Sequence, residues 1–158
     1  MKKQRPTIPL FEWKLAVDLE ATRSIQNQEG TPAYQCDCYW CSKWKDIAKD
    51  LLPENTLNQL IRIGIDIDHP TELYEFREAE GYNSLCVVYH SVGEILSGPA
   101  PWKQDSNLGN VMMYKTVREK PFTSLLIYPQ KQLSDPVPRF EGKEGELVRI
   151  DFRLDVPA

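Results

Sequence analysis

Residues 10–20 read Leu10-Phe11-Glu12-Trp13-Lys14-Leu15-Ala16-Val17-Asp18-Leu19-Glu20. Phe11, Trp13, Leu15, Val17 and Leu19 alternate with Glu12, Lys14, Ala16, Asp18 and Glu20. A period of two sets one face in a core and the other in water, which predicts a strand of an antiparallel sheet over 10–20. Residues 147–156 repeat the pattern. Val148, Ile150, Phe152, Leu154 and Val156 point inward there, and Arg149, Asp151, Arg153 and Asp155 outward. The two ends of the chain thus offer strands whose apolar faces share one core, whether as neighbours or in separate sheets.

Between them the period changes. Trp40, Trp44, Ile47, Ala48 and Leu51 fall at helical spacing from Tyr39 to Leu52, and Pro53 stops the run. A second short helix over 54–63 sets Leu57, Leu60 and Ile61 on one face, with Gly64 where a left-handed C-terminal cap belongs. After Pro70, residues 73–80 and 85–96 flank the turn Gly81-Tyr82-Asn83-Ser84, and 111–117 pairs with 122–128 across 118–121. Residues 97–110 read as a long loop whose Pro99, Pro101 and Trp102 cover a sheet edge. The segment 129–146 reads as an exposed connection and 1–9 as a flexible tip. About six strands and two consecutive helices make an α+β domain. It is expected as a mainly antiparallel sheet or sandwich, with a helical hairpin inserted after the first strand. At 158 residues the chain is read as a single domain over 1–158.

A net charge of −4 lacks the basic footprint of a nucleic-acid binder, so no nucleic-acid partner is expected. No window has the apolar length of a membrane span, and Pro6, Pro9 and Glu12 break up any signal-peptide core. Those readings lead to an expectation of a cytoplasmic protein with reduced thiols and no membrane partner.

One short stretch concentrates chemistry: Cys36-Asp37-Cys38-Tyr39-Trp40-Cys41. Cys38 and Cys41 have the two-residue spacing that wraps one metal ion, and Cys36 offers a third thiolate. A closed zinc site needs a fourth ligand, to be drawn from His69, His90, Cys86, Asp37 or water. His69 is the preferred choice, because it lies in a loop that also follows the helical hairpin. Two other readings stand beside zinc. The thiols can be small hydrophobes packed under Trp40 and Trp44, or a redox pair at a helix start. Asp66-Ile67-Asp68-His69-Pro70 has the residue types of a metal or acid–base constellation, but at a helix-to-strand junction before a proline it reads rather as a turn in which an aspartate side chain bonds nearby amides. His90 shares a strand face with Val88 and Val92 and reads as a hydrogen-bonded core residue, with a dyad to Cys86 or Ser91 as the alternative.

Three landmarks resemble, in the same order, an uncharacterised bacterial family with a Cys-x-Cys-x-x-Cys motif. They are Cys36 to Cys41 leading into a short helix, Ile63-Gly64-Ile65-Asp66-Ile67-Asp68-His69-Pro70-Thr71-Glu72, and Tyr89-His90-Ser91-Val92-Gly93-Glu94-Ile95-Leu96. The likeness spans residues 10–100 and departs from the pattern at Lys43 and Ser91. It implies a bacterial, cytoplasmic protein and carries no activity. Three functional classes therefore stand. The leading one is a non-enzymatic binding or interaction domain with another protein as partner. The second is a structural zinc domain built on Cys36, Cys38 and Cys41, and the third a thiol-dependent or hydrolytic enzyme.

Overall fold

The computed structural model describes residues 5–26, 28, 36–130, 138 and 146–157. Strands β1 (Thr7–Leu10) and β2 (Trp13–Val17) precede helix α1 (Leu19–Gln26). Helices α2 (Tyr39–Leu51) and α3 (Glu54–Arg62) follow, and then β3 (Glu72–Ala79) and β4 (Tyr82–Ser97). The chain continues through β5 (Trp102–Asp105), β6 (Gly109–Met112), β7 (Lys115–Glu119), β8 (Phe122–Pro129) and β9 (Leu147–Pro157). This is the expected α+β architecture. A seven-stranded antiparallel sheet runs β1-β2-β4-β9-β8-β7, with β3 also on β4.

The long strand β4 organises the sheet. One of its edges is taken by β9, from Tyr82↔Pro157 to Val92↔Leu147, so the two terminal strands of the sequence pattern meet through β4. The other edge is shared: β3 occupies residues 82–88 and β2 residues 93–97. In the interval between them α1 supplies side chains in place of a strand. Gln26 Nε2 donates to the His90 carbonyl at 2.9 Å, and Thr22 Oγ1 accepts from the Val92 amide at 2.9 Å. A buried strand edge left unpaired would be costly, and these two bonds remove that cost. Gly93 lets β2 close in, since a Cβ there would lie 1.9 Å from the Ala16 carbonyl.

The strand expected over 10–20 divides into three. β1 and β2 form a tight hairpin with Leu10↔Trp13 in register, and Phe11 turns the chain with φ 53°. Leu10, Trp13, Leu15 and Val17 still line one buried face, because the turn preserves the alternation on either side of it. Asp18, expected to point outward from a strand, caps α1 by accepting from the Ala21 amide at 3.0 Å. Residues 7–9, expected within a flexible tip, pair with 14–16 and bury Ile8. Residues 1–4 of that tip lie outside the described residues.

The loop expected over 97–110 holds most of a small hairpin, β5 with β6. In the connection expected over 129–146, Gln130 and Pro138 are buried. Gln130 extends the β8–β9 pairing with its N–H on the Leu147 carbonyl at 2.8 Å. Residues 131–137 and 139–145 lie outside the described residues.

The helical hairpin falls where periodicity places it. α3 ends in a Schellman cap: the Gly64 amide donates to Ile61 and the Ile65 amide to Leu60, with Gly64 at φ 90°. α2 docks through Trp44, which is completely buried. Its indole N–H reaches the Tyr89 hydroxyl at 3.0 Å and the Ile67 carbonyl at 3.1 Å, while the Tyr89 hydroxyl donates to Ile67 at 2.6 Å. Arg118 of β7 donates to the Leu51 carbonyl at the end of α2.

The second face of the sheet is not the wet face that alternation suggests. Arg149 is 5% and Asp151 2% exposed. Arg149 pairs with Asp151 at 3.4 Å and with Glu72 at 3.3 Å. Arg153 lies 4.9 Å over the Tyr114 ring and 5.4 Å over Phe76. Aromatic side chains over the guanidinium groups and carboxylates beside them make burial of these charges tolerable.

Two stability outcomes follow from this packing. Phe152→Ala costs about 3–5 kcal/mol, as a fully buried ring, and Phe11→Ala clearly less, as a half-buried turn residue. Urea denaturation of both variants gives the comparison. Burial also raises the Tyr89 hydroxyl above its ordinary 10.0, so the folded protein keeps a proton that the unfolded chain releases. Stability therefore falls as pH rises past 10.0, and Tyr89→Phe makes that fall shallower in unfolding titrations. Tyr74 and Tyr114, raised in the same direction by their own burial, retain part of the slope.

Candidate metal centre at the start of helix α2

Cys38 is the N-cap of α2, with φ −63° and ψ 165°, and its Sγ accepts from the Cys41 amide at 3.5 Å. Serine or aspartate commonly fills this position, and here a thiol takes that role. Cys41 follows at i+3 and so stacks above Cys38 on one side of the helix. Trp44 lies a further three residues along, so docking of the indole turns the Cys41 side of α2 towards the core. Cys41 is accordingly 5% exposed, Cys38 is exposed, and Cys36 lies between. Cys36 reaches back from the chain preceding the helix. The three Sγ atoms lie within 4.8 Å of one another.

That spacing suits one soft ion. Tetrahedral zinc–thiolate bonds of about 2.3 Å would put neighbouring sulfurs about 3.8 Å apart, inside the 4.8 Å within which these three lie. No acidic residue lies in the first turn of α2, which leaves its positive end to the thiols. The amide of Cys41 and the neighbouring Cys36 thiol lower the Cys38 pKa below its ordinary 9.0. Burial raises that of Cys41, and the proximity of Cys38 and Cys36 raises it further. A bound cation would offset the cost of burying thiolate charge at Cys41 and the repulsion among the thiolates of Cys36, Cys38 and Cys41.

The aromatic pair beside the cluster fixes its orientation to the sheet. Trp40 Nε1 donates to Glu75 Oε2 of β3 at 2.5 Å. Tyr39, 65% exposed, meets the Trp40 ring edge-on at 5.1 Å, and Lys43 Nζ lies 5.3 Å from the Tyr39 ring centre.

His69 does not join the thiols. Among the described residues the group within 4.8 Å consists of Cys36, Cys38 and Cys41, without His69, Asp37, His90 or Cys86. The His69 ring is held where it stands by Asp66, at 2.7 Å from Nδ1 to Oδ2, while Asp66 Oδ1 accepts from the Asp68 amide at 3.1 Å. Residues 66–70 thus form the aspartate turn that composition suggests.

The Cys86–His90 alternative separates in the same way. His90 is fully buried, with Nδ1 2.6 Å from Thr71 Oγ1 and Nε2 3.0 Å from Gln130 Oε1. The Cys86 thiol donates to Asp151 Oδ1 at 3.5 Å, and burial pushes its pKa up to about 12. Ser91 Oγ meets Thr22 Oγ1 at 3.3 Å. These are satisfied core polar groups rather than a nucleophile and its base. All four cysteines are free thiols.

Comparison with protein-family models, with curated proteins and with solved structures returns no match.

The thiols should differ in reactivity. In chelator-treated protein at about pH 8, iodoacetamide labels Cys38 well before Cys41 or Cys86, because thiolate content and access both favour it. Peptide mapping by mass spectrometry measures the order. Cys86 becomes labelled only as the protein unfolds.

Proposed function

We propose that the chain is a non-enzymatic binding domain of the reducing cytoplasm that holds one zinc ion through Cys36, Cys38 and Cys41. The observation that carries this reading is the approach of three free thiols to within 4.8 Å at the open end of a helix. In it zinc ties the chain before α2 to the helix start, and water or a group from a protein partner completes the coordination. Membership of the Cys-x-Cys-x-x-Cys family belongs to the same proposal and adds no activity to it.

A second reading has its own support. An exposed Cys38 with a lowered pKa beside a buried Cys41 with a raised one is the asymmetry of a dithiol that exchanges disulfides. In that reading the Cys38 thiolate attacks oxidised glutathione and releases one glutathione thiolate. Cys41, losing its proton, then displaces the second glutathione and closes an intramolecular disulfide.

Elemental mass spectrometry of protein purified without an affinity tag separates the two. The zinc domain carries about one zinc per chain, and Cys38→Ser or Cys41→Ser lowers that content severalfold. Zinc below about a tenth per chain, with ready closure of a Cys38–Cys41 disulfide, supports the dithiol instead.

A further inference from the structure

The β5–β6 hairpin stands apart from the main sheet. None of residues 102–112 is buried, and β5 has β6 on one side and no strand on the other among the described residues. Trp102 rests against the Tyr128 ring of β8, 6.1 Å between centroids, yet stays 48% exposed. A two-stranded ribbon with so little covering it is marginal in water, and a further strand supplies the missing support. Its turn is firmly defined. Asp105 Oδ1 accepts from the Asn107 and Leu108 amides at 2.8 and 3.0 Å, and Gly109 closes the turn at φ 76°.

The open edge of β5 differs from the other strand edges of the fold. β3 and β7 each carry a register shift and β1 contains Pro9, devices that discourage pairing. β5 pairs with β6 without a shift. The Met113 amide donates to the Pro101 carbonyl at 2.9 Å, so the backbone polar groups of Lys103 and Asp105, two and four residues on, turn towards β6 as well. By alternation the N–H and C=O groups of Trp102 and Gln104 point away from it.

Antiparallel pairing of this edge with itself about a two-fold axis allows few registers. With the axis at Gln104, the two copies of that residue exchange both backbone bonds. Lys103 then lies directly opposite Asp105 of the partner subunit, and the symmetry repeats the contact. This is a non-hydrogen-bonded pair, where side chains approach most closely. Asp105 keeps Oδ2 for it, since the turn amides use Oδ1. Moving the axis by one residue sets Lys103 or Asp105 against its own copy, and like charges directly opposite repel. The Gln104 register also brings the partner's turn alongside Trp102, and that turn holds Leu108, 77% exposed.

We infer that β5 is a self-association edge. Two copies of the chain pair through it, antiparallel with Gln104 on the two-fold axis, and the two hairpins become one four-stranded ribbon. The contact uses none of the thiols and does not depend on metal.

Sedimentation equilibrium of the intact protein tests this, over a range from about 5 µM to about 500 µM, because an interface of two short strands is small and should dissociate at roughly 10–200 µM. In ¹⁵N spectra the same dilution should move the amide signals of Trp102, Gln104 and Ser106 and leave those of β9 in place. Lys103→Glu, at an exposed position, sets a carboxylate against Asp105 of the partner subunit and should weaken the dimer about tenfold or more. Gln104→Pro removes an N–H that points away from β6, so the hairpin keeps its own bonds while the dimer is lost. A monomer throughout the range overturns the inference. So does a dimer that Lys103→Glu leaves as tight as before, or one whose dilution shifts fall outside residues 102–106.

Discussion

The burial of Trp44 is the contact from which the arrangement of the helical layer follows. Its indole fills a fully enclosed space against the sheet, and its one N–H is shared between the Tyr89 hydroxyl of β4 and the Ile67 carbonyl beyond α3. Three parts of the chain, separated by 23 and 45 residues from Trp44, are joined at one donor. An indole N–H buried without an acceptor would cost about 1–3 kcal/mol, so the rotation of α2 about its axis is strongly determined. Cys41 shares that buried side of the helix three residues earlier. The thiol cluster is thus a consequence of how α2 docks, with Cys38 at the cap and Cys36 before it.

A second constraint acts on the sheet. β4 has to satisfy two edges over sixteen residues, and neither β2 nor β3 is long enough to cover one of them alone. The junction between the two is filled by Thr22 and Gln26 of α1. The same region holds His90, whose ring is satisfied by Thr71 and Gln130. Polar side chains in this part of the core therefore serve the backbone and one another, and the histidine most open to a catalytic reading turns out to be structural. On the same face Asp151, Arg149 and Glu72 form a largely buried ion-pair network, with the Cys86 thiol donating to Asp151, and the cost of desolvating these charges offsets much of their attraction.

Much of this was legible in the residues. Helical spacing of Trp44, Ala48 and Leu51, the stop at Pro53 and the cap at Gly64 located the hairpin, since each signal is local. Alternation over 147–156 located β9. The reading failed where a local pattern had two solutions. Leu10 to Leu19 alternates equally well as one strand or as a hairpin followed by a helix, and only pairing with β4 and capping by Asp18 chooses. Alternation also cannot tell whether a polar face meets water or a covering layer, and by itself it places Arg149 and Asp151 in solvent. Tyr74 and Phe76 on β3, Tyr128 on β8 and Tyr114 just before β7 are the signal that something covers them. For the candidate site, sequence spacing identified Cys36, Cys38 and Cys41, whose convergence is local. His69 required a long-range approach, and Asp66 holds it in its own turn.

Whether docking of α2 gathers the three thiols around one zinc ion, as proposed, is decided by X-ray absorption at the zinc edge. Measured on the native protein, the account predicts a first shell of three sulfurs at about 2.3 Å with one lighter atom at about 2.0–2.1 Å. A shell made up of nitrogen and oxygen alone, or protein with no zinc to measure, would contradict it.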